Sequence, residues 1–203
     1  MLVKICGIQT EEAAKVATNQ QANMIGFVFT PSKRRISPKR AAAIAKNIPT
    51  SVKKVGVFVN ESLNNIKFIA KHVGLDMIQL HGDESASFAK EIPYPVIKAF
   101  SIDEINKSTL SIYPCEYYLI DSPPTKYRGG SGKTFQWERI NELKIDKSKL
   151  IIAGGLSIDN VEQAIKTATP AGVDVSSGVE TNGIKDLTKI KQFIEIAKQP
   201  VSS

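Results

Sequence analysis

Leu2-Val-Lys-Ile-Cys6-Gly7-Ile8 reads as a short buried strand that carries Cys6 to its carboxyl end and stops at Gly7. Two later runs have the same build. Tyr118-Leu-Ile-Asp121-Ser122 and Val173-Asp-Val-Ser-Ser-Gly178 are apolar strands with a reactive or hydrogen-bonding residue near the C-terminal tip. If such strands are parallel neighbours, their tips meet at one end of a sheet. Working outward, the runs 24–29, 53–59, 77–81, 96–100 and 150–154 join 2–6, 117–121 and 173–176 as a series of short Val- and Ile-rich strands. They are mostly apolar on both faces, the pattern of a parallel sheet covered on both sides.

Helical stripes separate these runs. Ala41, Ile44, Ala45 and Ile48 follow i, i+3, i+4, i+7, and so do Val161, Ala164, Ile165 and Ala168. Leu63, Ile66, Ile69, Ala70 and Val73 form a third stripe; Leu187, Ile190, Phe193, Ile194 and Ala197 form a fourth. Ser37-Pro38 sets a cap residue before proline at the first helical position. Ser101-Ile-Asp-Glu104 has capping-box spacing, and Thr10, Asp83 and Ser157 are further N-cap candidates. The segment 101–112 carries the shortest stripe. Eight strands, each followed by a helical segment, predict an α/β fold: one (β/α)₈ barrel, a TIM barrel, spanning residues 1–203. The alternative is an open doubly wound sheet. It has fewer strands and usually a G-x-G-x-x-G turn after the first, where this chain has Gly7 alone.

With 203 residues and 42% hydrophobic content, the chain can build a full core. No apolar run approaches the ~20 residues that span a bilayer, and the N-terminus lacks a signal-peptide pattern. Two cysteines make no disulfide framework, so a reduced, cytoplasmic protein with no membrane partner is expected. The net charge of +7 comes from lysines spread along the helical segments, with one tight cluster at Lys33-Arg34-Arg35. That distribution suits a small anionic ligand better than nucleic acid. A monomer is expected rather than a homodimer.

In a parallel barrel the active site lies at the C-terminal strand ends, so polar residues there deserve a functional reading. Cys6 is either a small core hydrophobe or a thiolate base, with Lys4 on the same strand face. Asp121 ends an apolar strand and is followed by Pro123-Pro124, not by a helix it could cap. One His at a strand tip and scattered carboxylates form no metal-ligand cluster, which leaves acid/base work for Asp121. Leu150-Ile-Ile-Ala-Gly154-Gly155-Leu-Ser157 and Val175-Ser-Ser177-Gly178-Val179 are either ordinary turns or a phosphate cradle. Their place after the last two strands favours the cradle. Arg34 and Arg35 can grip a carboxylate or lie solvated in a loop. His81 is either a ligand contact or a satisfied core group. His72 reads as a surface residue, and Cys115 has no evident task. Gly129-Gly-Ser-Gly-Lys133 resembles a mobile loop and lacks Walker spacing.

Lys4-Ile-Cys-Gly-Ile8, Gly26-Phe-Val-Phe29, Ser32-Lys-Arg34, Val55-Gly-Val-Phe-Val59 and Gln79-Leu-His-Gly82 together resemble the phosphoribosylanthranilate isomerase family. So do Leu119-Ile-Asp-Ser122, Gly129-Gly-Ser-Gly-Lys-Thr-Phe135, Gly154-Gly-Leu156, Asn160-Val161 and Val173-Asp-Val-Ser-Ser-Gly-Val-Glu180. The resemblance covers nearly the whole chain. It implies a (β/α)₈ barrel that isomerises N-(5-phosphoribosyl)anthranilate in tryptophan biosynthesis by an Amadori rearrangement, with no cofactor and no metal. It implies Cys6 as general base and Asp121 as general acid. Arg34, His81 and Asp174 are implied at the substrate; Gly154, Gly155, Ser177 and Gly178 are implied at its phosphate. One departure is Gln136, where Asp or Asn is expected at the start of the helix after the sixth strand. A sugar-phosphate isomerase of the histidine pathway is the runner-up; it would carry an aspartate where Cys6 stands. An inactive binding barrel would have lost Cys6 or Asp121.

Overall fold

The eight apolar runs close on themselves. In this computed structural model, residues 1–105, 113–122, 136–143 and 145–200 are described. The strands are β1 (Leu2–Cys6), β2 (Met24–Val28), β3 (Lys53–Phe58), β4 (Met77–Leu80), β5 (Val96–Ser101), β6 (Tyr117–Asp121), β7 (Leu150–Ile152) and β8 (Gly172–Val175). Each pairs in parallel with the next, and β8 returns to β1 through Leu2↔Gly172 and Lys4↔Asp174. That closure removes both sheet edges and excludes the open-sheet alternative.

Strand alternation divides the core in two. Met24, Val55, Met77, Ile97, Leu119 and Ile151 form the cluster inside the barrel. Ile5, Phe27, Phe58, Ile78, Ile120 and Phe193 belong to the larger layer between strands and helices. The outer layer needs the helix stripes, and they deliver it. The helix Val161–Ala168 buries Val161, Ala164, Ile165 and Ala168; the helix Leu187–Lys198 buries Ile190, Phe193, Ile194 and Ala197. Burying one such Phe or Ile contributes about 1.5–3 kcal/mol. The helix Leu63–Val73 buries Ile66, Ile69, Ala70 and Val73 and ends at Gly74, left-handed at φ +74°. In the helix Pro38–Ala45 the stripe outruns the helix: Ile48 is buried from the turn beyond it.

Caps show where local reading succeeds and fails. Thr10 and Ser37 cap as expected, accepting from Ala13 N and Arg40 N. Asp83 does not cap. The helix Ala86–Lys90 begins two residues later, with Ser85 accepting from Phe88 N, because the Gly82–Glu84 stretch is occupied in tying loops together. Glu84 accepts from Asn60 N, Gly82 N and buried Lys98. Ser157 accepts from Asp159 N in a turn that precedes the helix, and Asn160 occupies its N-cap position. Ser101 accepts from Asp103 N and starts a turn; the rest of the 101–112 segment lies mostly outside the described residues. Gln136 lies before the helix Glu138–Glu142, whose N-cap position is Trp137 with no side-chain cap. The loop 129–133 lies outside the described residues.

Two further strands lie outside the eight apolar runs. β9 (Glu180–Thr181) and β10 (Ile184–Lys185) form an antiparallel hairpin after β8. Asn182 and Gly183, with φ +54° and +79°, make its turn, the pair that favours a tight hairpin.

Candidate active site

Alternation on β1 turns Val3 and Ile5 outward and Lys4 and Cys6 inward. Lys4 is 1% exposed, a cation enclosed by the barrel, and its Nζ donates to Asp174 Oδ1 at 2.9 Å. Gly26 is the β2 register partner of Cys6. A Cβ at Gly26 would stand 2.9 Å from Cys6 Sγ and 3.2 Å from Lys4 Nζ, so the missing side chain is the room those two groups use. Beyond Cys6, Gly7 turns the chain at φ +76°, and any side chain there would run into Arg34.

The same side of the barrel mouth is dense in charge. Arg34 grips Glu180 with both arms, Nε to Oε1 at 2.6 Å and Nη2 to Oε2 at 2.9 Å. Lys185 Nζ donates to Glu180 Oε1 at 2.5 Å and to Ser176 O at 2.9 Å. The Ser176 hydroxyl donates to Cys6 O at 3.2 Å. Hairpin, β8 tip and β1 tip are thus tied into one unit. Burial opposes ionisation of Glu180, yet Arg34 and Lys185 together hold its carboxyl below the usual range. Burial lowers the Lys185 ammonium despite Glu180. Burial pushes the Cys6 thiol up; Lys4 and Lys185 pull against it, and Asp174 adds to the rise.

Asp121 stands three strands away around the ring, at the tip of β6. It is 6% exposed. Its Oδ1 accepts from Ser122 N at 2.8 Å and from the Ser122 hydroxyl at 3.3 Å. Its Oδ2 faces His81 Nε2 at 3.4 Å. On the far side of that imidazole, Gln79 Nε2 lies 3.1 Å from His81 Nδ1. An amide N–H there makes Nδ1 an acceptor and leaves the ring proton on Nε2, toward Asp121. Gly154, at φ +79°, lets β7 approach this corner: a Cβ would meet Ser122 N and come within 2.8 Å of Asp121 Oδ1.

The turns after β7 and β8 touch. Gly154 and Gly155 both have left-handed backbones. Asn160 Oδ1 accepts from Ser157 N at 2.8 Å, and its Nδ2 donates to Gly155 O at 2.9 Å, which fixes the first turn. Ser177–Val179 form a 3₁₀ turn, and Gly178 sits so close to the Leu156 carbonyl that no larger residue fits. Small residues thus hold the two turns together. No group of three or more His, Cys, Asp or Glu is arranged to hold a metal among the described residues. No described helix is long and apolar enough to cross a membrane.

Every residue implied at the site therefore lies at the C-terminal end of the barrel, Arg34 on the inner side of its loop and Arg35 exposed. His72 is exposed and stacks on Phe68. Cys115 is half-buried, its thiol pushed up to about 11 by burial. Sequence reasoning gave no role to Gln79, Glu180, Lys185, Ser176 or Gly26. A lone polar residue inside a four-residue strand marks Gln79, and the Asn182-Gly183 turn marks the hairpin that supplies Glu180 and Lys185.

The model of the N-(5'-phosphoribosyl)anthranilate (PRA) isomerase family matches residues 3–196. An N-(5'-phosphoribosyl)anthranilate isomerase of Oceanobacillus iheyensis is 52% identical over 197 residues, 96% of this chain and 95% of that protein. The crystal structure of a phosphoribosyl anthranilate isomerase from Thermus thermophilus superposes with a TM-score of 0.88 at 33% identity, covering 97% of this chain and 98% of the other. A phosphoribosyl anthranilate isomerase in complex with reduced 1-(o-carboxyphenylamino)-1-deoxyribulose 5-phosphate gives 0.83 at 37% identity, over 98% of each chain.

Proposed function

The chain belongs to the N-(5'-phosphoribosyl)anthranilate isomerase family, and from that premise we propose that it isomerises N-(5-phosphoribosyl)anthranilate in tryptophan biosynthesis. The product is 1-(2-carboxyphenylamino)-1-deoxyribulose 5-phosphate, reached by an Amadori rearrangement. Asp121 is the general acid and Cys6 the general base. Asp121 gives its proton to the furanose ring oxygen. The bond from that oxygen to C1 breaks, and the anilino nitrogen lone pair forms the C1=N Schiff base. The Cys6 thiolate takes the proton from C2, the electrons return to nitrogen, and an enolamine results. Proton transfer from the C2 hydroxyl to C1 then gives the ketone.

The observation that carries this reading is the separation of tasks around one mouth. A thiol and a carboxyl stand on β1 and β6, each buried, each at a C-terminal tip. Oδ1 of Asp121 is committed to Ser122, so Oδ2, facing His81 at 3.4 Å, is the oxygen suited to carry a proton. Arg34 suits the anthranilate carboxylate, exchanging part of its grip on Glu180. His81 and Asp174 line the substrate between the two tips. Gly154, Gly155, Ser177 and Gly178 suit the phosphate, their short side chains exposing backbone N–H groups. We propose a monomeric enzyme, to be checked by its sedimentation in solution. The cytoplasm, where thiols stay reduced, suits a base such as Cys6. The test is turnover of N-(5-phosphoribosyl)anthranilate by the purified protein, followed as loss of anthranilate-type fluorescence. Turnover is expected; a folded protein without it sinks the reading.

A further inference from the structure

Lys4 is the one charged group among the largest fully buried side chains of the described residues, and core packing does not explain it. A lysine enclosed at 1% exposure is costly unless its charge is held. Here it is held by Asp174 at 2.9 Å, its register partner across the β1–β8 seam that closes the barrel. The next inward group on the same strand is Cys6. Both Sγ and Nζ crowd the same empty spot in front of Gly26, at 2.9 and 3.2 Å from the position a Cβ would take. The glycine thus keeps open the space in which ammonium and sulfur face each other.

We propose that Lys4 is the positioning residue that makes Cys6 a base: it stays an ammonium throughout and stabilises the thiolate by sharing its N–H donors between Asp174 and Sγ. This rests on the reading of Cys6 as the base. Ionisation of the thiol sends its proton to solvent; the thiolate then takes the substrate C2 proton, and Lys4 neither gains nor loses one. The charged groups facing Cys6 are few. Lys4 lies below it on β1, Asp174 on β8, Lys185 on β10 and Arg34 in the loop after β2. Glu180 is bound by both Arg34 and Lys185, which spends much of their field. Lys4 shares a carboxylate with no other cation among the described residues and is the nearest-acting positive group on the sulfur. Burial works against its charge, but Asp174 and the sulfur outweigh burial and raise its pKa, so it remains an ammonium over the working range.

The test reads the thiolate directly, by ultraviolet absorbance against pH, in a Cys115→Ala background with Cys6→Ser as the blank. Lys4→Met is expected to raise the Cys6 midpoint by about 1–2 pH units, a ~10–100-fold loss of thiolate near neutrality. The acid limb of kcat/KM should move with it. Lys4→Arg keeps the charge and is expected to keep most of the thiolate. Lys4→Met strands Asp174 and can fail to fold, so Asp174→Asn provides an independent arm. Removing that carboxylate leaves the ammonium to the sulfur, and the midpoint is expected to fall by about one unit. A merely structural lysine would shift neither midpoint, or both the same way, and either result overturns the proposal. Because the titration needs no turnover, it stands apart from the assignment of the base. Full activity in Cys6→Ser would remove that assignment whatever the midpoints show.

Discussion

The two sides of the barrel mouth are built from different chemistry. Around Cys6 the partners are ions: Lys4, Asp174, Arg34, Glu180 and Lys185. Around Asp121 the described partners are a backbone N–H, a hydroxyl and an imidazole held by an amide. The roles proposed for the two tips account for the contrast. A buried thiol resists ionisation and needs fixed positive charge to become a base. The Asp121 carboxyl meets no lysine or arginine among the described residues. One fold can run an acid and a base together when its strand tips separate the two environments.

The largest expected effect comes from deleting the two tips themselves. Cys6→Ser and Asp121→Asn should each lower kcat by ~10²–10⁴-fold, the usual worth of a positioned acid or base. Circular dichroism should show the fold intact, since both changes are nearly isosteric. They should also differ in pH dependence: Cys6→Ser should erase the acid limb of kcat/KM and Asp121→Asn the alkaline limb. The same limb lost in both would undo the assignment of opposite roles.

Next comes the ionic side. Glu180→Gln leaves Arg34 and Lys185, both mostly enclosed, without their shared carboxylate. A loss of about 3 kcal/mol is expected in denaturant unfolding, near the lower end for breaking a buried pair. Its pH dependence has a definite sign. The Glu180 carboxyl titrates below its ordinary value near 4.5. Its stabilisation is therefore complete above that value and disappears as pH falls through the depressed one. The stability gap between wild type and Glu180→Gln should be constant near neutrality and close only in acid. A gap that already closes at pH values above 4.5 would mean that the hairpin is held by something else.

These two sides were unequally legible in the sequence. The tips could be read because a parallel barrel writes its strands as apolar runs, and a polar residue ending such a run stands out. The neutral side is largely local: Asp121 and Ser122 are adjacent, and Gln79 and His81 are two apart on one strand face. The ionic side is built from long-range pairs. Lys4 meets Asp174 across 170 positions and Arg34 meets Glu180 across 146, through a closure that no local pattern records. Asp83 misled for a related reason. It has the residue type of a cap, but its loop is bound to Asn60 of a neighbouring turn, Asp83 N donating to Asn60 Oδ1 and Asn60 N to Glu84 Oε1, so Ser85 starts the helix. The weak helix expected over 101–112 lies mostly outside the described residues.

A glycine backs each tip, and the pair gives a finer comparison. Gly154→Ala must adopt φ +79° and push into Ser122 N and Asp121 Oδ1. Backbone strain of about 1–3 kcal/mol is expected with overpacking besides. Gly26→Ala has no such strain, but its methyl meets Cys6 Sγ at 2.9 Å and Cys6 Cα at 3.1 Å. A cost of about 1–3 kcal/mol from overpacking alone is expected, and thermal unfolding should rank Gly154→Ala below Gly26→Ala. The kinetic signatures should follow the walls, with the acid limb moving in Gly26→Ala and staying put in Gly154→Ala.

The smallest effect belongs to the amide behind the imidazole. Gln79 is 1% exposed, and its Oε1 has no hydrogen-bond partner among the described residues while its Nε2 holds His81. A buried acceptor without a partner costs stability, so a same-sized apolar replacement removes a penalty along with a bond. Gln79→Met should therefore leave the unfolding free energy within about 1 kcal/mol of wild type. What it should change is the ring. Without the amide donor, His81 can move its proton to Nδ1 and turn Nε2 into an acceptor toward Asp121. A loss of roughly threefold to tenfold in kcat is expected, with KM little altered, as when a group that orients an acid is loosened. The nitrogen NMR signals of the imidazole would show the tautomer directly. Nε2 protonated in both wild type and Gln79→Met would remove the amide from the acid's support and leave Ser122 as its main anchor.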